Sequence, residues 1–173
     1  HRREALWQAA VAVPSKGLLK GTLPESESVY LTVPAEVDQT VSDYRTLGLT
    51  LGRHPLSFLR QQLFDKRFMA ADVLQTYQQG QFARACGIVT VRQRPATAKG
   101  TIFVTLEDET GNVNVIVWPS LVEQQRSELL NASLLGVYGI WQTENNVNHL
   151  IAKRLVDLSS LLGRLETNSR DFM

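Results

Sequence analysis

Three cations, Arg92, Arg94 and Lys99, fall within eight residues of one another. Two aromatic residues, Phe103 and Trp118, follow, and Lys153 with Arg154 adds positive charge further on, near Trp141 and His149. Guanidinium and ammonium groups pair with phosphate oxygens, and aromatic rings stack on any nucleobase, so this set reads as chemistry for holding a nucleic-acid strand without reading its sequence. Stacking contributes roughly 1–3 kcal/mol per base. A site with so few rings and cations is therefore expected to bind weakly and to lose affinity in salt. Each residue also has a plainer reading. The loop charges can be solvated surface, Phe103 can pack beneath a neighbouring segment, Trp118 can cover the end of a sheet, and Trp141 and His149 can be structural.

Other reactive side chains carry less. Glu107-Asp108-Glu109 invites a metal, but a two-metal site needs carboxylates converging from separate elements. The run reads instead as the end of a strand and an acidic turn. His54 precedes Pro55 without carboxylates or thiols arranged around it, which suggests a local hydrogen bond. Cys86 is the only cysteine and lies in an apolar stretch. It reads as buried filler, and its solitude excludes disulfides and a cysteine-based zinc site. No nucleophile–base set emerges, so neither a catalytic residue nor a bound metal is expected in this chain.

The elements that must position these residues change character near Gln79-Gly80. Before that point the period is helical: Arg2 to Val13, then an irregular Gly/Pro-containing connector from Pro14 to Pro34, then Ala35 to Leu51. A further helix is predicted from Leu56 to Phe64, with Pro55 in its first turn and Leu56, Leu59 and Leu63 buried. A short turn follows within 70–78. After Gly80 the pattern alternates. Strands are predicted over 84–94, 101–107, 113–118, 134–142 and 147–156, with a tight turn at Glu109-Thr110-Gly111-Asn112 and another at Asn145-Asn146. Ser120 to Leu130 reads as one amphipathic helix, with Ser120 as N-cap and Glu123 completing a capping box. Ile88 and Val89 are both apolar, so the inward face of the first strand stays open.

Three strands, a helix and two strands within about eighty residues is the order of the OB-fold, a five-stranded Greek-key barrel with its helix between strands three and four. The predicted class is α+β: residues 1–80 a helical linking and positioning region, 81–160 the OB-fold domain and 161–173 a C-terminal tail. OB-folds commonly hold single strands across strands two and three, clamped by the loops joining strands one to two and four to five. This gives Arg92, Arg94, Lys99, Phe103, Trp118 and Lys153 as the expected nucleic-acid contacts.

A resemblance adds to this. Thr105 to Gly111 (TLEDETG), followed by Val113 to Trp118, resembles the second and third barrel strands of bacterial C-family DNA polymerases, the family of the polymerase III alpha subunit. Leu47-Gly48-Leu49-Thr50-Leu51 and then His54-Pro55-Leu56 is similar to the "LGLYL…HPL" signature that this family carries before its barrel. Arg2-Arg3-Glu4-Ala5-Leu6-Trp7, Val91-Arg92-Gln93-Arg94-Pro95 and Ser169-Arg170-Asp171-Phe172 look most like the error-prone branch of the family. The resemblance covers nearly the whole chain. It implies a parent enzyme for DNA-damage-induced translesion synthesis, joining deoxynucleotides with magnesium ions held in a separate palm domain. It also implies single-stranded DNA, other mutasome proteins and, through the parent chain, the sliding clamp as partners.

Composition fits such a fragment. The hydrophobic fraction is 43%, the charged fraction 20% and the net charge +1, as in soluble globular proteins. No apolar run is long enough to cross a bilayer and no signal peptide is visible, which points to the cytoplasm. The opening His1-Arg2-Arg3-Glu4 reads as part of something longer. Residues 81–160 hold seven basic and seven acidic side chains, so DNA binding must come from a local cluster. That neutrality also favours an alternative, a barrel that docks other proteins of a mutasome.

Overall fold

A computed structural model describes residues 52–144 and 147–167, with side chains as far as residue 163. The helices expected over 2–13 and 35–51, the connector between them, the turn at 145–146 and residues 168–173 lie outside the described residues.

Helix α1 (Pro55–Asp65) starts where the sequence places it. Pro55 occupies the first turn, and the His54 Nδ1 accepts a hydrogen bond from Leu56 N at 3.1 Å. Its Leu56, Leu59 and Leu63 are buried, each contributing about 1.5–3 kcal/mol on the usual area scale. A short helix, α2 (Ala71–Leu74), leads to the barrel.

Strand β1 (Phe82–Gln93) serves two neighbours. Phe82–Ile88 pairs antiparallel with β4 (Leu134–Glu144), and from Ile88 onward the strand pairs with β2 (Ile102–Glu107). β2 turns into β3 (Asn112–Val117), which runs parallel to β5 (Val147–Asp157), and β5 pairs antiparallel with β4. The barrel closes in the order β1-β2-β3-β5-β4, the five-stranded OB-fold expected from the sequence. Gly87 stands where β1 changes partner. A Cβ there would lie 2.8 Å from Leu106 Cβ and 2.9 Å from the Glu107 carbonyl oxygen, so glycine lets β1 bend closely over β2.

Alternation along β2 and β3 sends Val104, Leu106, Val113, Val115 and Val117 into the barrel, where Trp141 is fully buried. A second core forms outside the barrel wall, where α1 lays its leucines against Phe68, Cys86, Ile88 and Leu134. Ala85 to Ile88 are buried in succession because β1 is covered on both faces. The pair left open by the sequence divides between the cores: Ile88 joins the outer one and Val89 packs on the barrel. Leu161, on α5 (Ser159–Thr167), closes the outer core.

The single helix expected over 120–130 is in fact two, α3 (Pro119–Gln124) and α4 (Arg126–Asn131). Gln125 interrupts them at φ −125° and ψ 44°. Its carboxamide makes strand-like bonds to β5: Nε2 donates to Leu155 O at 2.9 Å, and Leu155 N donates to Oε1 at 2.8 Å. Ser120 does not cap the helix with Glu123. Trp118 is the N-cap residue, no side chain caps it, and Pro119 takes the first helical position.

Candidate nucleic-acid interface

The loop between β1 and β2 is shaped by a 3₁₀ turn over Ala96–Ala98. Ala98 N donates to Pro95 O at 3.1 Å and Thr101 N donates to Ala98 O at 2.9 Å. These bonds hold Lys99 in the left-handed region (φ 46°), a sparsely populated conformation for any residue but glycine, asparagine or aspartate. Lys99 thereby lines a cleft of about 360 Å³, together with Thr101, Phe103, Ile116, Trp118 and Pro119.

Phe103 pairs directly with Ile116 across β2 and β3, and Trp118 stands two residues beyond Ile116. Phe103 is 38% and Trp118 49% exposed, so part of each ring is open to solvent. Two rings and one ammonium group thus surround one concavity.

The other expected contacts are placed differently. Arg94 leans across the base of the loop, its Nη2 lying 3.7 Å from the position a Cβ on Gly100 would take. It shares a second groove of about 210 Å³ with Arg126, Ile102, Val122 and Leu130. Arg92 turns to the end of α4. Its Nε donates to Leu129 O at 2.7 Å and its Nη2 donates to Ala132 O. Burial lowers its pKa, but a guanidinium stays charged, and here it caps the carbonyls at a helix C-terminus. Lys153 is exposed on β5, where Tyr138 faces Arg154 and Gly139 faces Ala152, leaving Lys153 as the extra residue of a bulge. Lys99, Phe103 and Trp118 therefore come together, Arg94 stands beside them, Lys153 lies on a neighbouring strand, and Arg92 is engaged by the fold.

The acidic turn is a clasp. Asp108 Oδ1 accepts from Thr110 N at 2.7 Å, Thr110 Oγ1 at 2.7 Å and Gly111 N at 3.0 Å. Its Oδ2 accepts from Ala71 N at 2.8 Å and Arg60 Nη2 at 3.1 Å. Glu109 takes the other edge of the Arg60 guanidinium, with Arg60 Nη2 donating to Oε2 at 2.7 Å. Arg60 stands 48 residues from Asp108 in sequence, too far for any spacing pattern to connect the two. The Cys86 thiol is pushed up to about 12 by burial, which removes it as a nucleophile near neutral pH. Among the described residues no cluster of His, Cys, Asp and Glu is arranged to hold a metal ion, and no helix is long and apolar enough to cross a membrane.

Residues 75–158 match the family described as OB-fold nucleic acid binding domain. Over 95% of its length the chain is 60% identical to an error-prone DNA polymerase of Bordetella parapertussis, covering 16% of that protein. Over 99% of its length it is 56% identical to the error-prone DNA polymerase of Ralstonia nicotianae (16% of that protein covered) and 56% identical to that of Dechloromonas aromatica (17% covered). The chain therefore spans about a sixth of the length of the curated relatives it matches. By sequence it is similar to a segment of error-prone DNA polymerases, and by sequence and fold it carries an OB-fold nucleic acid binding domain.

Proposed function

We propose that this chain is part of an error-prone DNA polymerase acting in translesion synthesis, and that its barrel guides single-stranded template DNA toward a catalytic domain elsewhere in the protein. Nucleotidyl transfer, with its magnesium ions, belongs to that other domain, and the region before the barrel serves to position it. The observation that carries this reading is the cleft in which Phe103, Trp118 and Lys99 converge on the outer face of β2 and β3. Stacking on two rings, with few phosphate contacts, gives weak binding without sequence preference, which suits a template that must slide. Fluorescence anisotropy of a labelled single-stranded oligonucleotide at low and high salt tests it. Binding that weakens with salt, and that falls by about 1–3 kcal/mol in Phe103→Ala or Trp118→Ala, is expected. No binding at low salt would overturn it.

One observation favours a second role, the docking of mutasome proteins. The groove shared by Ile102, Val122, Arg94 and Arg126 also contains Leu130, which is 46% exposed. Loss of partner capture in Leu130→Glu, with DNA binding intact, is the result this role requires.

A further inference from the structure

We infer that the strand-binding surface does not end at Trp118 but continues around β5 and β4 to β1, with Arg154 and Arg84 as phosphate contacts that Tyr138 holds in place. This rests on the reading of the barrel as a single-strand guide and extends its site.

Register places these residues in one row. Tyr138 on β4 pairs with Arg84 on β1 to one side and with Arg154 on β5 to the other. On the far side of β5, Ile151 pairs with Ile116 of β3 in parallel, and Lys153 and Trp118 each follow that pair by two residues. Passing around the barrel, the row reads Trp118, Lys153, Arg154, Tyr138, Arg84, with rings and cations interleaved. Its three strand-to-strand steps, each about 4.7–4.9 Å, span roughly 14 Å, within reach of the strand lengths one OB barrel accommodates.

The two arginines are held but not neutralised. The Arg84 guanidinium carbon lies 5.0 Å from the centre of the Tyr138 ring and that of Arg154 lies 5.5 Å from it. Phe68 meets the same ring edge-on at 5.4 Å and fixes it. Among the described residues Arg84 makes one hydrogen bond, from Nη1 to Lys66 O at 3.3 Å, and its other donors have no partner there. Among the described residues neither arginine has a carboxylate within ion-pair distance. The acids of the β2–β3 turn are occupied by Arg60 and His54 at another part of the barrel. Two like charges sharing one ring repel each other, and a polyanion laid across them relieves that repulsion. Beyond Arg84 the Phe82 ring, 5.8 Å from the same guanidinium and 52% exposed, offers a last stacking face.

The test uses the 173-residue chain and oligothymidylates of about 4 and about 16 nucleotides, the ends of the site-size range for one barrel. Arg84→Gln with Arg154→Gln is expected to weaken the long oligomer and lower its salt slope by about 1.4, two contacts at about 0.7 each. The short oligomer, held in the Phe103–Trp118 cleft, keeps its affinity, and Phe103→Ala weakens both. The double Lys variant retains the slope. Arg154→Gln alone, at an exposed position, should lower the slope by about 0.7, so the test survives a fold defect at Arg84. Wild-type slope and affinity for the long oligomer in these variants, with Phe103→Ala still impaired, would overturn the extension and leave the cleft standing. Absence of binding by the unaltered chain would overturn both.

Discussion

Arg60 Nη2 lies 3.1 Å from Asp108 Oδ2, joining α1 to the β2–β3 turn across 48 residues of sequence. The same carboxylate oxygen accepts from the main chain at Ala71, so one buried side chain fastens both short helices to the hairpin whose outer face carries Phe103. The acidic turn thus holds the β2–β3 hairpin against α1 and α2.

The two acids of that turn should differ in weight. Asp108→Ala leaves a buried main-chain N–H at Ala71 unpaired and releases the turn, at a cost of about 1–3 kcal/mol. Glu109→Ala removes only one side of a partly exposed ion pair and should cost less than about 1 kcal/mol. Urea denaturation of the two variants decides it, and equal losses would mean that Asp108 is not the fastening point.

Arg92 and Arg94 should separate stability from binding. Arg92→Ala removes the donor for two carbonyls at the end of α4 and is expected to lower stability by about 1 kcal/mol. Among the described residues Arg94 makes no such bond; Arg94→Ala should keep the melting temperature and lower the salt slope of single-strand binding by about 0.7. A binding loss in Arg92→Ala as large as in Arg94→Ala, at unchanged stability, would count against this division.

These arginines also mark where the sequence stops being legible. The alternation Ile102-Val104-Leu106 and Val113-Val115-Val117, and Pro55 ahead of three leucines, are local patterns, and the chain folds as they say. Arg92 and Arg94 look alike in sequence, and only the position of α4 shows that Arg92 is the one that caps it. The break at Gln125 depends on Leu155, 30 residues away, and the clasp of Asp108 depends on Arg60. Such long-range pairings of polar side chains leave no periodic trace. Alternation marks Phe103 and Trp118 as outward-facing, but nothing in it places Lys99, which takes a left-handed conformation in the β1–β2 loop, beside them in one cleft.

Cys86 should behave as an inert reporter of the outer core. It is 3% exposed and its thiol is pushed up to about 12 by burial, so a thiol reagent at neutral pH should find it only when the chain opens. The labelling rate is expected to rise in parallel with urea unfolding. Rapid modification of the folded protein would show that α1 does not stay packed on β1.

His54 gives the fold a pH dependence of definite sign. Burial lowers its pKa and outweighs the attraction of Glu107, Glu109 and Asp108, while Arg60 lowers it further. The unfolded chain therefore takes up the imidazole proton first as pH falls. The contribution of His54 is fully present above its unfolded value of about 6.5 and is lost as pH drops from there through the lowered folded value. His54→Asn keeps a side chain able to cap α1 and removes the titration. Between about pH 7.5 and about pH 5.5 the natural chain should lose more stability than His54→Asn, measured as the difference in urea midpoints. If the carboxylates prevailed over burial, with Glu107 Oε1 3.7 Å from His54 Nε2, the natural chain would instead gain on the variant as pH falls, and the sign of that difference settles which force governs the site.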